Sequence, residues 1–220
     1  MARNAEPSSK MNTRQKNQVQ HQTPNWNPES HAIFRNGPDD RLNACVGSNG
    51  GPYDFLHYGC GYLTAAEALC EHVEQEKSYI DSKIYPAIFL IRHGMELYLK
   101  GLLECIPPLF GDEPHRPQGH FVGELWRELK PFLERRRVQF NEGHDLVDFM
   151  DQAVASIESI DQNAQVFRYP NPQGKGTNLL GRYTHINFGR VKEFVNKVFL
   201  TFETWLYTCD QILEESRKAE

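Results

Sequence analysis

The chain has 220 residues, 39% hydrophobic and 24% charged, with 29 acidic against 24 basic side chains and a net charge of −5. That length suits one core with a tail, or two small domains. No run approaches the ~18 apolar residues of a membrane span, no apolar leader opens the chain, and the acidic balance excludes nucleic-acid binding through a global basic field, leaving only a local basic patch.

Residues 1–53 are rich in Asn, Gln, Ser, Pro and Gly and poor in aliphatics. Such a composition buries too little apolar area to offset chain entropy. It predicts a mostly irregular tail, disordered or draped, in which Trp26, Ile33 and Phe34 could dock onto the core or onto a protein partner. The turn signal SNGGP, Ser48 to Pro52, closes this region.

From residue 54 to 220 the pattern is helical. A first helix is expected from Asp54, a suitable N-cap, to Ser78, with Leu56, Leu63, Ala66 and Val73 on one side. A second is expected from Pro86 to Ile106. Its apolar stripe is Ile88, Ile91, Met95, Leu99, Leu102 and Ile106, and Pro107-Pro108 stops it. After the turn-rich FGDEPHRPQG, a third helix should run from His120 to Arg136, with Phe121, Leu125, Trp126 and Leu129 as its face and a kink at Pro131. A fourth spans Asp145 to Ile160, and the last Asn187 to Ser216, with Val191, Phe194, Val198, Leu200 or Thr201, Trp205 and Ile212 inward. Between these two lies an irregular loop that could hold a small hairpin. The expected fold is all-α: an antiparallel bundle of about five helices.

Arg92 belongs to the apolar stripe of the second helix, with Glu96 and Lys100 following at four-residue steps. An arginine aimed at a core must be paired, because an unpaired buried charge costs several kcal/mol. The row is therefore either a structural ion-pair ladder or the lining of a polar site, with Arg92, Glu96 and Lys100 facing a phosphate.

Three segments carry a resemblance in this order: IRHGMELYLKGLL from Ile91 to Leu103, GHFVGELW from Gly119 to Trp126, and FRYP with a glycine-containing loop from Phe167 to Gly174. Over roughly residues 55–216 the chain resembles bacterial HEPN-like proteins of toxin and phage-defence systems. The resemblance implies a helical bundle, frequently a homodimer, and in active members a metal-independent endoribonuclease. The family's ribonuclease signature is an arginine, usually followed at once by a polar residue such as Asn, Asp or His, then a histidine after roughly four to six intervening residues, one to two helical turns. Arg92-His93 matches the opening pair, but no histidine completes it on that helix. Arg137 and His144 have signature-like spacing in an expected loop, and Arg14 and His21 match it inside the tail.

His120 and His144 each follow a glycine just before an expected helix start. Either could move a proton near neutral pH, although capping or packing is the commoner role for such a residue. Arg168, Tyr169, Lys175, Arg182, Tyr183 and His185 form a basic and aromatic cluster suited to single-stranded RNA. QGKGT lacks the spacing of a phosphate-binding P-loop. The five cysteines form an odd set without a CxxC pair, and His57 with Cys60 has no second ligand pair, so no metal or cofactor is expected. The thiols read as reduced and the protein as cytoplasmic.

Two functions follow from these readings. One is an RNA-binding or RNA-cleaving HEPN-like module, with Arg92 and His120 or His144 catalytic. The other is a catalytically silent interaction module in which Arg92 and Glu96 form a structural pair and the tail recruits a protein.

Overall fold

The computed structural model describes residues 37–45, 54–141, 145–161, 165–169 and 184–219. The chain divides into two units, Met1–Asn49 and Gly50–Glu220. Most of the predicted tail, His144, Lys175, Arg182, Tyr183 and the predicted hairpin lie outside the described residues. In the first unit a single 3-10 turn, Asp40–Leu42, is capped by Asp39, whose carboxylate accepts from the Arg41 backbone N–H at 3.1 Å and from its guanidinium at 2.9 Å.

The second unit is all-α, as the periodicity predicts. Helix α1, Phe55–Glu76, begins at Asp54, whose Oδ1 accepts from the His57 N–H at 2.8 Å. It buries Leu63, Ala66, Cys70 and Val73. The chain then reverses through two left-handed residues, Lys77 and Tyr79, at φ 48° and 55°.

Helix α2, Ile80–Cys105, starts earlier than the expected Pro86, which lies inside it. An interior proline forfeits one backbone hydrogen bond. Here the extra turns place Ile84 in the core, a burial that offsets the loss.

Helices α1 and α2 are antiparallel and very close. A methyl group added at Gly59 would meet Tyr98 Cδ2 at 2.7 Å, and one at Gly94 would meet Leu63 at 2.7 Å.

Helix α3, Val122–Arg135, continues through Pro131 and buries Val122, Leu125, Trp126, Leu129 and Leu133. The expected face residue Phe121 is instead its N-cap and is 38% exposed. Arg137, expected in a loop, opens the short helix α4, Arg137–Asn141. Helix α5, Leu146–Asp161, runs antiparallel to α3, as Gly123–Glu158 and Lys130–Asp151 contacts show. Helix α6, Phe188–Ala219, closes the bundle. Thr201, not Leu200, faces inward: they are 1% and 66% exposed, and the Thr201 hydroxyl donates to Lys197 O at 2.7 Å.

Helix α2 is central, packing on α1, α3 and α6. Indoles of α3 and α6, Trp126 and Trp205, stack at 5.9 Å between ring centroids. Both are satisfied: Trp205 Nε1 donates to Phe140 O at 3.0 Å, and Trp126 Nε1 to Asp151 Oδ1 at 2.7 Å. Among the described residues no helix is long and apolar enough to cross a membrane.

Candidate functional site

Helical periodicity turns Arg92 into the bundle, where it is 1% exposed. Each nitrogen of its guanidinium has an acceptor. Nε donates to the Asp161 carbonyl at 3.2 Å, NH2 to the His120 carbonyl at 2.8 Å, and NH1 to Glu96 Oε2 at 3.3 Å. One buried side chain thus ties α2 to the end of α5 and to the segment that enters α3. Five donors in a rigid fork suit an arginine to this task, and a lysine would not reach all three acceptors.

Glu96, one turn on, is 3% exposed and equally engaged. Lys100 Nζ donates to its Oε1 at 2.9 Å, and His120 Nδ1 lies 2.7 Å from the same oxygen. His93 Nδ1 stands 3.7 Å from Oε2, close enough for charge interaction and too long for a good hydrogen bond. Burial alone would raise the Glu96 pKa; His93, His120 and Lys100 together outweigh it and hold the carboxyl far below its ordinary range. Lys100 is itself buried, with its ammonium 5.7 Å from the Phe55 ring centre.

His120 is the outward end of this network. Its side chain is 77% exposed while Nδ1 contacts the buried carboxylate. With Nδ1 engaged by the carboxylate, Nε2 is the ring nitrogen left for other partners. Among the described residues Nε2 has no partner.

The network also continues toward Arg168. His93 packs edge-on to Tyr62 at 4.5 Å and is stacked with Phe89 at 5.8 Å. The Arg168 guanidinium sits 5.4 Å from the Phe89 ring centre and 5.4 Å from that of Tyr169. Arg168 and Tyr169 are both exposed. Their turn is pinned by Asp161, whose Oδ1 accepts the N–H groups of Gln165 at 2.7 Å and Val166 at 3.0 Å. Asp161 Oδ2 is buried and has no partner among the described residues. Arg92, by holding the Asp161 carbonyl, therefore supports this turn as well as His120.

Of the residues singled out in the sequence, Arg92, Glu96, Lys100, His120, Arg168 and Tyr169 belong to one connected set of contacts. His185 does not join it; its Nδ1 lies 3.0 Å from Thr184 Oγ1. His57 is bound to Asp54 at 2.9 Å. Arg135, Arg136 and Arg137 are spent on Asp112, the Phe110 ring and Asp148. Tyr62, Phe89 and Asp161 entered none of the sequence readings. Only Phe89, one turn before His93, carried a local signal. Among the described residues no three His, Cys, Asp or Glu side chains converge on a point that could hold a metal ion.

Comparisons with protein-family models, curated proteins and solved structures find no match to this chain.

Proposed function

We propose that the helical unit is a HEPN-like module of the toxin and phage-defence kind and that it acts on RNA through His120. One observation carries the reading: an exposed imidazole held at 2.7 Å by a buried carboxylate whose pKa its neighbours hold low. That is the arrangement of an oriented proton-transfer residue. The histidine comes from the segment before α3, which accounts for the incomplete signature on the Arg92 helix. Arg92 has a supporting role in this reading, since its guanidinium is buried and committed to three acceptors.

His120 Nε2 takes the proton of a ribose 2′-OH. The 2′-oxygen then attacks the adjacent phosphorus, the 5′-oxygen leaves as a hydroxyl with a proton from solvent, a 2′,3′-cyclic phosphate remains, and His120 returns its proton to solvent. Arg168 meets the phosphate and Tyr169 stacks on a base. These side chains carry the step without a metal ion. The five cysteines are unpaired thiols, in keeping with a cytoplasmic setting.

The test is purified full-length protein incubated with total RNA, with and without EDTA. Cleavage should persist in chelator, leave cyclic-phosphate ends and vanish in His120→Ala. Chelator-sensitive cleavage would overturn the mechanism and keep the substrate class.

A second reading, a catalytically silent interaction module, is favoured by the burial of Arg92, which presents no guanidinium to a substrate. Folded protein that neither cleaves nor binds RNA would establish that reading in place of the first.

A further inference from the structure

Beside the Arg168 turn, α2, α5 and the start of α6 border an open cavity of about 730 Å³. This lies within the ~300–1,000 Å³ range of small-molecule sites. Its walls are aliphatic and aromatic: Ile88 and Ile91 from α2, Ile157 from α5, Phe167 from the turn, and Val191 and Phe194 from α6. Polar groups are few and lie mainly where α6 begins: His185, Asn187 and Arg190, with Ser156 on α5.

These polar groups differ in availability. Asn187 Oδ1 is used by the Arg190 backbone N–H at 3.2 Å. The Arg190 guanidinium is exposed and forms no ion pair among the described residues. Among the described residues no acidic side chain lines the cavity. An apolar chamber whose described lining carries one arginine, beside a histidine, complements a particular kind of molecule. Its body must be apolar enough to gain from leaving water, and its head must be an anion that an arginine fork accepts through two hydrogen bonds.

We infer that this cavity binds a small amphipathic carboxylate of the medium-chain fatty acid type. The aliphatic body lies among Ile88, Ile91, Ile157 and Phe167, and the carboxylate meets Arg190 and His185 at the rim. A carboxylate gains two charge-assisted hydrogen bonds from the Arg190 fork that a neutral head group of the same chain length does not.

Isothermal titration of the full-length chain with sodium decanoate, below its micelle concentration, tests the inference, with 1-decanol as the neutral probe. The expected result is one decanoate per chain, with decanol at least tenfold weaker. Arg190→Gln should weaken decanoate about tenfold or more, as the loss of a charged hydrogen bond predicts. Ile157→Trp, which fills the chamber, should abolish binding; its fold is checked by circular dichroism. Should that variant fail to fold, the exposed Arg190→Gln change still decides. No binding by the unmodified chain overturns the inference. So does decanol binding as tightly as decanoate, or decanoate binding unchanged in Arg190→Gln.

Discussion

Glu96 and His120 meet at 2.7 Å across the boundary of the core, a carboxylate that is 3% exposed holding an imidazole whose side chain is 77% exposed. The carboxylate is fixed by Lys100 and Arg92, and the segment carrying His120 is fixed by Arg92 through its carbonyl. Orientation of the exposed group is thus set from the buried side, where water does not compete for the hydrogen bonds.

Loss of Arg92 should be severe. Arg92→Ala strands the Asp161 and His120 carbonyls and removes one of the charges around Glu96. Breaking a buried pair in this way costs about 3–5 kcal/mol. Arg137→Ala, which removes a half-exposed pair with Asp148, should cost about 0–1 kcal/mol. Urea denaturation of the two variants measures the contrast, and equal, small losses would show that the Arg92 network does not support the fold.

Stability should depend on acid through Glu96. Its pKa in the folded chain is depressed below the ordinary 4.5, mainly by His93, His120 and Lys100 acting against burial. A depressed carboxyl contributes stability that is present above its unfolded value and is lost as pH falls below it. Denaturation midpoints should therefore fall steeply below about pH 4.5, and Glu96→Gln should be less stable at pH 7 with a shallower acid limb. An unchanged limb in Glu96→Gln would assign the acid sensitivity to other carboxylates.

The α1–α2 contact makes opposite forecasts for two glycines two residues apart, on different faces of α1. At Gly59 a methyl group would meet Tyr98 Cδ2 at 2.7 Å and the Gly94 carbonyl at 3.2 Å, so Gly59→Ala should destabilise by about 1–3 kcal/mol. Gly61 is exposed with nothing within 4 Å, so Gly61→Ala should stabilise by about 0.5–1 kcal/mol through helix propensity. Thermal melts of the pair decide, and the same sign for both would refute the close packing.

Single-stranded RNA affinity should rest on Arg168 and Tyr169. Tyr169→Ala should lose about 1–3 kcal/mol of binding, the worth of one stacked base. Arg168→Gln should lower affinity and flatten its salt dependence. Lys192→Gln, which alters a surface pair with Glu74, serves as the control. Fluorescence anisotropy with a labelled oligoribonucleotide reads all three, and equal affinities across them would remove this surface from consideration.

Thiol reactivity should follow burial and pKa. Cys45 is exposed and should alkylate first. Burial pushes the buried Cys70 thiol up to about 11, so it should react slowly. Cys209 is raised by its hydrogen bond with Cys105 and then by burial, and should be among the slowest. Iodoacetamide labelling at pH 8, followed by mass spectrometry, gives the order; rapid labelling of Cys70 or Cys209 in folded protein would contradict these packed positions.

Several elements were legible locally. Asp54 announced the start of α1 because a short acceptor side chain before an apolar-periodic run caps free N–H groups. The inward direction of Arg92 followed from its place on the Ile88 to Ile106 stripe. Its pairing with Glu96 followed from the i to i+4 geometry of any helix. The start of α2 is not legible locally: Pro86 reads as a boundary in isolation, whereas the burial of Ile84 keeps the helix running through it. Phe121 was assigned inward because its spacing from Leu125 is helical, yet it sits on the cap, where the chain has not yet turned.

The sequence by itself determined an all-α unit with a buried Arg92–Glu96 pair, because side-chain periodicity and i to i+4 proximity depend only on helix geometry. It left open what that pair serves. Arg92 finds its other partners at Asp161 and His120, 69 and 28 positions away. His120 finds its carboxylate 24 positions back, on a different element. Separations of that kind are set by which helices pack together and at what height. The packing depends on the summed burial of many side chains, and no local spacing encodes it. Tertiary structure alone therefore decided that Arg92 is a strut, that Glu96 is its shared anchor, and that His120 is the member of the set that faces solvent.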